Sequence, residues 1–129
     1  MNRALEGKVY PAIGFTVSSG QVDRFSVVVG HDGSFVPPIF VTAAEVAATA
    51  QVLADPDLGL DFARVIHSEQ EYEWRRPIAV GDELAAAPRI ASIRSKGGHE
   101  FLTIETEMRD ASGEPVVLAR NVLIVRARV

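Results

Sequence analysis

Among its 129 residues the sequence has no cysteine. That excludes disulfides, thiolate metal sites and a cysteine nucleophile together. Neither sign of charge dominates: 13 Lys and Arg stand against 17 Asp and Glu, for a net charge of −4 and a pI near 5.3. This balance argues against a general affinity for nucleic acid or acidic membranes. Long apolar runs are missing too. The N-terminal stretch MNRALEGKVYP reads as neither a signal peptide nor an anchor, so a cytoplasmic location is expected. The chain has no Gly-x-Ser-x-Gly elbow, P-loop or dinucleotide fingerprint, and no internal repeat or low-complexity tract. What remains, 47% hydrophobic and 23% charged, is ordinary for one globular domain over 1–129, with a real core and no room for two.

The rest of the chain is organised around Thr42 to Ala54, TAAEVAATAQVLA. Thr42 followed three residues later by Glu45 predicts a capping box, and Asp55-Pro56 predicts the stop. Glu45, Thr49 and Gln51 are the only polar side chains inside the helix after Thr42. A helix apolar almost all round is expected to be buried. At 1.5 Å rise it reaches roughly 20 Å, too short for a hydrocarbon core of ~30 Å. Its alanines keep it thin, so a sheet can close around it.

Val9 to Val17 predicts an edge or distorted strand, broken by Pro11 and Gly14. Ser18-Ser19 offer an N-cap for a helix over 19–29, with Val22, Phe25 and Val29 on its apolar face and Gly30 closing it. His31 to Pro38 is a loop, and Ile39-Phe40-Val41 lead into the central helix. Arg64 to Trp74 alternates. Ile66, Ser68, Gln70, Tyr72 and Trp74 are expected to face the helix, with His67, Glu69, Glu71 and Glu73 on the other side. A turn is expected at Val80-Gly81-Asp82. Leu84–Arg94, Phe101–Arg109 and Pro115–Arg128 predict three strands joined by hairpins at Lys96-Gly97-Gly98 and Ser112-Gly113. The pattern is α+β. It best fits a single hot-dog domain, a curved antiparallel sheet wrapped around helix 42–54, with an exposed edge that predicts a dimer.

Several stretches together resemble MaoC-like dehydratase domains. They are LEGKVYP from Leu5, the segment Val17–Gly30, Pro37-Pro38-Ile39-Phe40, His67-Ser68-Glu69-Gln70 through Arg76-Pro77-Ile78, Gly81-Asp82, Ala119-Arg120 and Leu123–Arg126. The nearest branch is similar to the N-terminal half of two-domain (R)-specific hydratases and to the acyl-binding subunit of mycobacterial hydroxyacyl dehydratases. Catalytic members carry Gly-Asp-x-Asn-Pro-x-His on the loop entering the helix. Its Asp and His activate a water at Cβ of an acyl thioester, while a helix N-terminus polarises the thioester oxygen. Here that loop is Gly30 to Pro38, shorter than in typical members of the branch. Asp32 is in the matching neighbourhood, Pro37 stands where the His belongs, and no Asn-Pro is present.

The resemblance therefore implies an acyl-thioester (coenzyme A or carrier-protein) binding subunit of an enoyl hydratase or 3-hydroxyacyl dehydratase. Pro38, Phe40, Val41, Val46, Thr49 and Ala50 are the expected acyl lining. The expected partner is a second hot-dog chain, as a homodimer or as a heterodimer with a catalytic subunit; no nucleic acid, membrane or cofactor is implied. Two other readings stand beside it. One is a self-sufficient enzyme, a thioesterase using Glu45 or a hydratase using His31 and Asp32. The other is a non-catalytic homodimeric acyl-binding module. For His31-Asp32 the plain alternative is a solvated turn, and for Glu45 it is the capping box. The stripe His67, Glu69, Glu71 and Glu73 reads as a solvated or dimer-facing surface rather than a metal site. Arg75, Arg76, Arg94 and Lys96 are either phosphate contacts or surface cations.

Overall fold

Alternating apolar and polar residues over most of the C-terminal half build one long sheet, and the alanine-rich segment supplies the helix laid across it. A computed structural model describes all 129 residues. Strand β1 (Ile13–Thr16) is followed by helix α1 (Ser19–Val29) and helix α2 (Thr42–Leu53), then by β2 (Val65–Trp74), β3 (Glu83–Lys96), β4 (His99–Arg109) and β5 (Pro115–Val125). All pairings are antiparallel, in the order β1-β3-β4-β5-β2. The meander β3-β4-β5 is the predicted one, and β2 returns to close the far edge beside β5. The architecture is the α+β hot-dog arrangement expected above. No helix is long and apolar enough to cross a membrane.

Local chemistry accounts for the ends of α1. Ser18, extended, accepts the amide of Gln21 through its hydroxyl at 3.4 Å, and Gly30 closes the helix in the left-handed region at φ 72°. Ser26 takes the buried place one turn after Val22, while Val29, predicted on the apolar face, is exposed. Strand β1 is shorter than predicted. Val9 makes only an isolated bridge to Arg89, and Pro11, with no N–H to give a ladder, separates it from the paired segment.

The start of α2 differs from the expectation. A 3₁₀ turn over Pro38–Val41 runs straight into it, so Val41 is already helical at φ −59° and ψ −19° and no side chain caps the helix. A capping box needs an extended residue at the N-cap. Thr42 and Glu45 are thereby released to reach the sheet. Nor is α2 buried all round: Ala44, Glu45, Ala48, Thr49 and Val52 are buried, whereas Ala43, Val46, Ala47 and Ala50 form an open apolar face. Between the buried side and the sheet lie two apolar clusters. One is centred on Phe40, Val41, Ala48 and Met108, the other on Val52, Leu58, Ile90 and Leu102.

Strand β2 corrects the predicted alternation. Its register against β5 slips between His67 and Glu69, where Ser68 is the extra residue. A bulge of this kind reverses which face each side chain takes. Val65 and His67 therefore share the helix side with Gln70, Tyr72 and Trp74, while Ile66 falls on the outer face with Glu69, Glu71 and Glu73. On that face the carboxylates meet cations: Glu71 lies 3.3 Å from Arg120, and Glu73 lies 3.0 Å from Arg75. The structure brings no three His, Asp or Glu side chains together as a metal-holding group.

Candidate functional site beside the central helix

Where α2 lies over β2 and β5, the side chains leave a cleft of about 390 Å³. Val46, Thr49, Ala50 and Leu53 line it from the helix, Val65, His67 and Gln70 from β2, and Asn121 and Leu123 from β5. Ile104 closes it from β4, and Phe62, in the 3₁₀ turn before β2, stands at the side. Thr42 and Glu45 complete the end nearest the start of the helix.

Glu45 is the centre of that end. Its side chain is buried and makes no ion pair; three neutral groups donate to it instead. Gln70 Nε2 lies 3.0 Å from each carboxyl oxygen, Asn121 Nδ2 lies 2.9 Å from Oε1 and the Tyr72 hydroxyl lies 2.8 Å from Oε2. The Thr42 and Tyr72 hydroxyls are 2.6 Å apart, so Thr42 donates to Tyr72 while Tyr72 donates to Glu45. Burial pushes the Tyr72 phenol up to about 12; the Thr42 contact opposes this and the Glu45 carboxyl adds to it. The register explains the convergence. Gln70 and Asn121 are directly paired across β2 and β5, as are Tyr72 and Ala119, so two adjacent rows of the inner face bring their polar groups under one turn of α2.

The loop carrying His31 and Asp32 is organised differently. Ser34 donates to Asp32 Oδ1 from both its amide, at 2.9 Å, and its hydroxyl, at 2.6 Å. These contacts hold the Asp32 carboxyl below the usual carboxylate range. His31 Nδ1 accepts the Gly33 amide at 3.0 Å, and its ring stands edge-on to Phe35 with centroids 4.5 Å apart. Both side chains thus close turns within their own loop, and neither lines the cleft. Of the expected acyl lining, Val46, Thr49 and Ala50 do line it. Phe40 and Val41 are buried in the core cluster, and Pro38 opens the 3₁₀ turn. Arg76 is tied to Asp82 at 2.8 Å and Asp110 at 3.3 Å, where it pins the turn before β3 to the end of β4.

Asn121 is not among the residues singled out from the sequence, and His67 was placed there on the outer face of β2 and not in the cleft. His67 was hidden by the bulge. Asn121 had a signal: it is the one amide in the apolar run VVLARNVLIV, and a polar residue at a core position is the informative exception.

Residues 12–119 match the family model described as FAS1-like, dehydratase domain region. The chain is 41% identical over 98 residues to a UPF0336 protein of Streptomyces coelicolor, a match covering 76% of this chain and 65% of that one. To a UPF0336 protein of Leifsonia xyli it is 33% identical, covering 98% of this chain and 96% of the relative. That alignment runs over 143 positions, more than the 129 residues here, so the relative carries segments that this chain lacks. In fold, it is similar to a chain of the HadBC (3R-hydroxyacyl-ACP dehydratase) complex of Mycobacterium tuberculosis, with a TM-score of 0.80 at 19% identity over 93% of this chain and 96% of that one.

Proposed function

The chain belongs to the family of FAS1-like dehydratase domain regions, and on that premise we propose that it binds an acyl thioester as the acyl-holding partner of a catalytic hot-dog chain. The observation that carries the reading is a separation. The cleft beside α2 is walled by Val46, Ala50, Leu53, Val65 and Leu123, a lining suited to an acyl chain, while His31 and Asp32 are spent on their own loop. Addition or loss of water at Cβ needs an acid–base group beside the thioester, and the proposed partner supplies it.

Two surfaces support a partner. Ala43, Val46, Ala47 and Ala50 leave an apolar face of α2 open, and β2 ends the sheet with a free edge. The HadBC dehydratase is itself a complex of hot-dog chains, consistent with this arrangement.

A second reading, thioester hydrolysis with Glu45 as the base, draws on the place of that carboxyl in the cleft. The hydrogen bonds weigh against it. A general base needs a free lone pair, and the two oxygens of Glu45 already accept four contacts from three donors. One experiment separates the readings. The purified chain is titrated with octanoyl-CoA in a calorimeter, then assayed for thiol release from that thioester and for loss of enoyl absorbance with octenoyl-CoA. Saturable binding with neither turnover is expected. Thiol release abolished by Glu45→Gln would establish the hydrolase, and hydration abolished by Asp32→Asn would establish a self-sufficient hydratase.

A further inference from the structure

Of the four cations that the sequence offers as phosphate contacts or surface charges, two have acid partners. Arg75 lies 3.0 Å from Glu73, and Arg76 is held between Asp82 and Asp110. Arg94 and Lys96 are exposed near the hairpin end of β3 and make no ion pair or hydrogen bond. Arg94 is paired across the strands with Phe101, on the outer face of the sheet. That face is opposite the cleft, since Phe101 and Thr103 alternate with the buried Leu102 and Ile104. Two rows along the same face the charges are paired instead: Arg120 lies 3.3 Å from Glu71 and 3.5 Å from Glu105, and Arg89 lies 2.9 Å from Glu105.

Between that ladder and the hairpin the outer face is hollow. The register of β3 against β4 slips between Ile90 and Ser92, where Ala91 is the extra residue, and a bulge bends its strand and raises the local twist. The hollow beside it holds about 690 Å³, a size that admits a small molecule. Arg94 and Lys96 line it, with the hydroxyls of Ser92, Ser95 and Thr103, and none of these five groups has a partner within the chain. The one acid in the lining, Glu105, is already shared by two arginines. Phe101, half-buried, and Val122 supply an apolar wall. Two cations and three hydroxyls suit the several oxygens of a phosphate chain, which accepts from a guanidinium in pairs and from an ammonium as a point charge. An aromatic ring beside them suits a flat heterocycle.

We propose that this hollow binds a nucleoside diphosphate, with its phosphates held by Arg94 and Lys96 and its base laid against Phe101. The site stands on the far side of the sheet from the cleft and does not depend on the acyl-binding reading. A nucleoside diphosphate exists free and as part of coenzyme A, so the test separates the two sources.

The whole chain is titrated by calorimetry, in metal-free buffer, with ADP and with its two fragments, adenosine and pyrophosphate. Saturable ADP binding is expected, at least about tenfold tighter than either fragment, because the anion and base contacts act together. The double variant Arg94→Ala, Lys96→Ala is expected to abolish binding of both ADP and pyrophosphate while keeping a native circular dichroism spectrum. Phe101→Leu is expected to bring ADP down to the affinity of pyrophosphate. No ADP binding at millimolar concentration, or binding unchanged in the folded double variant, would overturn the proposal. Pyrophosphate binding as tightly as ADP would leave a plain anion site and overturn the nucleotide class. Should Phe101→Leu not fold, the ratio of ADP to pyrophosphate affinity in the unaltered chain still decides. Two further ligands name the source. Displacement of ADP by octanoyl-CoA but not by octanoyl-pantetheine assigns the hollow to the nucleotide of coenzyme A, and ADP binding that octanoyl-CoA does not displace assigns it to a free nucleotide; either result upholds the proposal.

Discussion

Two polar constellations flank the entry to α2, and they are built in opposite ways. In the loop after α1, Asp32 is satisfied by Ser34 and His31 by Gly33, each contact spanning two residues. Under the first turns of α2, Glu45 is held by Gln70, Tyr72 and Asn121, which lie 25, 27 and 76 residues away in sequence. The first is turn chemistry that a short peptide can form. The second exists only when helix, β2 and β5 are assembled. A histidine and an aspartate side by side attract attention in the sequence, but it is the long-range cluster that faces a cleft.

The two faces of α2 offer the strongest test of this contrast. Ala48 is fully buried against the sheet, so Ala48→Glu places an unpaired charge in the core and is expected to abolish cooperative folding, at a cost of about 3–5 kcal/mol. Ala47 lies on the open face. Ala47→Glu is therefore expected to fold with an unchanged circular dichroism spectrum and to disturb only association, read by analytical ultracentrifugation.

A smaller effect compares the two constellations directly. Glu45→Leu strands donors on Gln70, Tyr72 and Asn121, and urea melts are expected to show a loss of about 3 kcal/mol. Asp32→Asn, in the exposed loop, is expected to leave the melt unchanged. Within the buried cluster, Tyr72→Phe removes one donor to Glu45 and the partner of Thr42, for an expected loss of about 1 kcal/mol.

The smallest change appears in acid, at the other end of α2. Lys8 Nζ lies 2.6 Å and the Tyr10 hydroxyl 2.7 Å from Asp55 Oδ2, and these contacts hold the Asp55 carboxyl down to about 2. A carboxyl depressed in the folded state adds stability above its unfolded pKa of ~3.9, and that stability is lost as pH falls through the folded value. Between about pH 4 and 2 the midpoint of thermal unfolding should drop less steeply in Asp55→Asn than in the parent chain. Parallel slopes would remove Asp55 from the acid response.

Much of the fold was legible because its signals are local. Ser18 and Gly30 bound α1, Asp55-Pro56 follows the end of α2, and the glycines at 97–98 and 113 turn the hairpins. The 3₁₀ turn over Pro38–Val41 was not legible, and with it went the capping box, since its presence removes the extended N-cap residue. Nor was the bulge at Ser68, which no residue type announces and which moves His67 from the outer stripe to the cleft. The open face of α2 escaped for a different reason. An all-apolar helix reads as buried whether its cover is its own sheet or another chain. Glu45 drew notice as a helix cap or a base, but its contacts with Gln70, Tyr72 and Asn121 lie too far apart in sequence to be read there, while Asn121, whose acceptor is unfilled, stood inconspicuous in an apolar strand.

On the proposed function, an acyl thioester enters the cleft between α2, β2 and β5 and leaves the His31–Asp32 loop untouched. An amide-resolved NMR titration of the labelled chain with octanoyl-CoA tests it most directly. Saturating shifts are expected at Val46, Thr49, Ala50, Asn121 and Leu123, with Gly30 to Phe35 unmoved. Shifts centred on His31, Asp32 and Ser34, with the cleft residues silent, would contradict it.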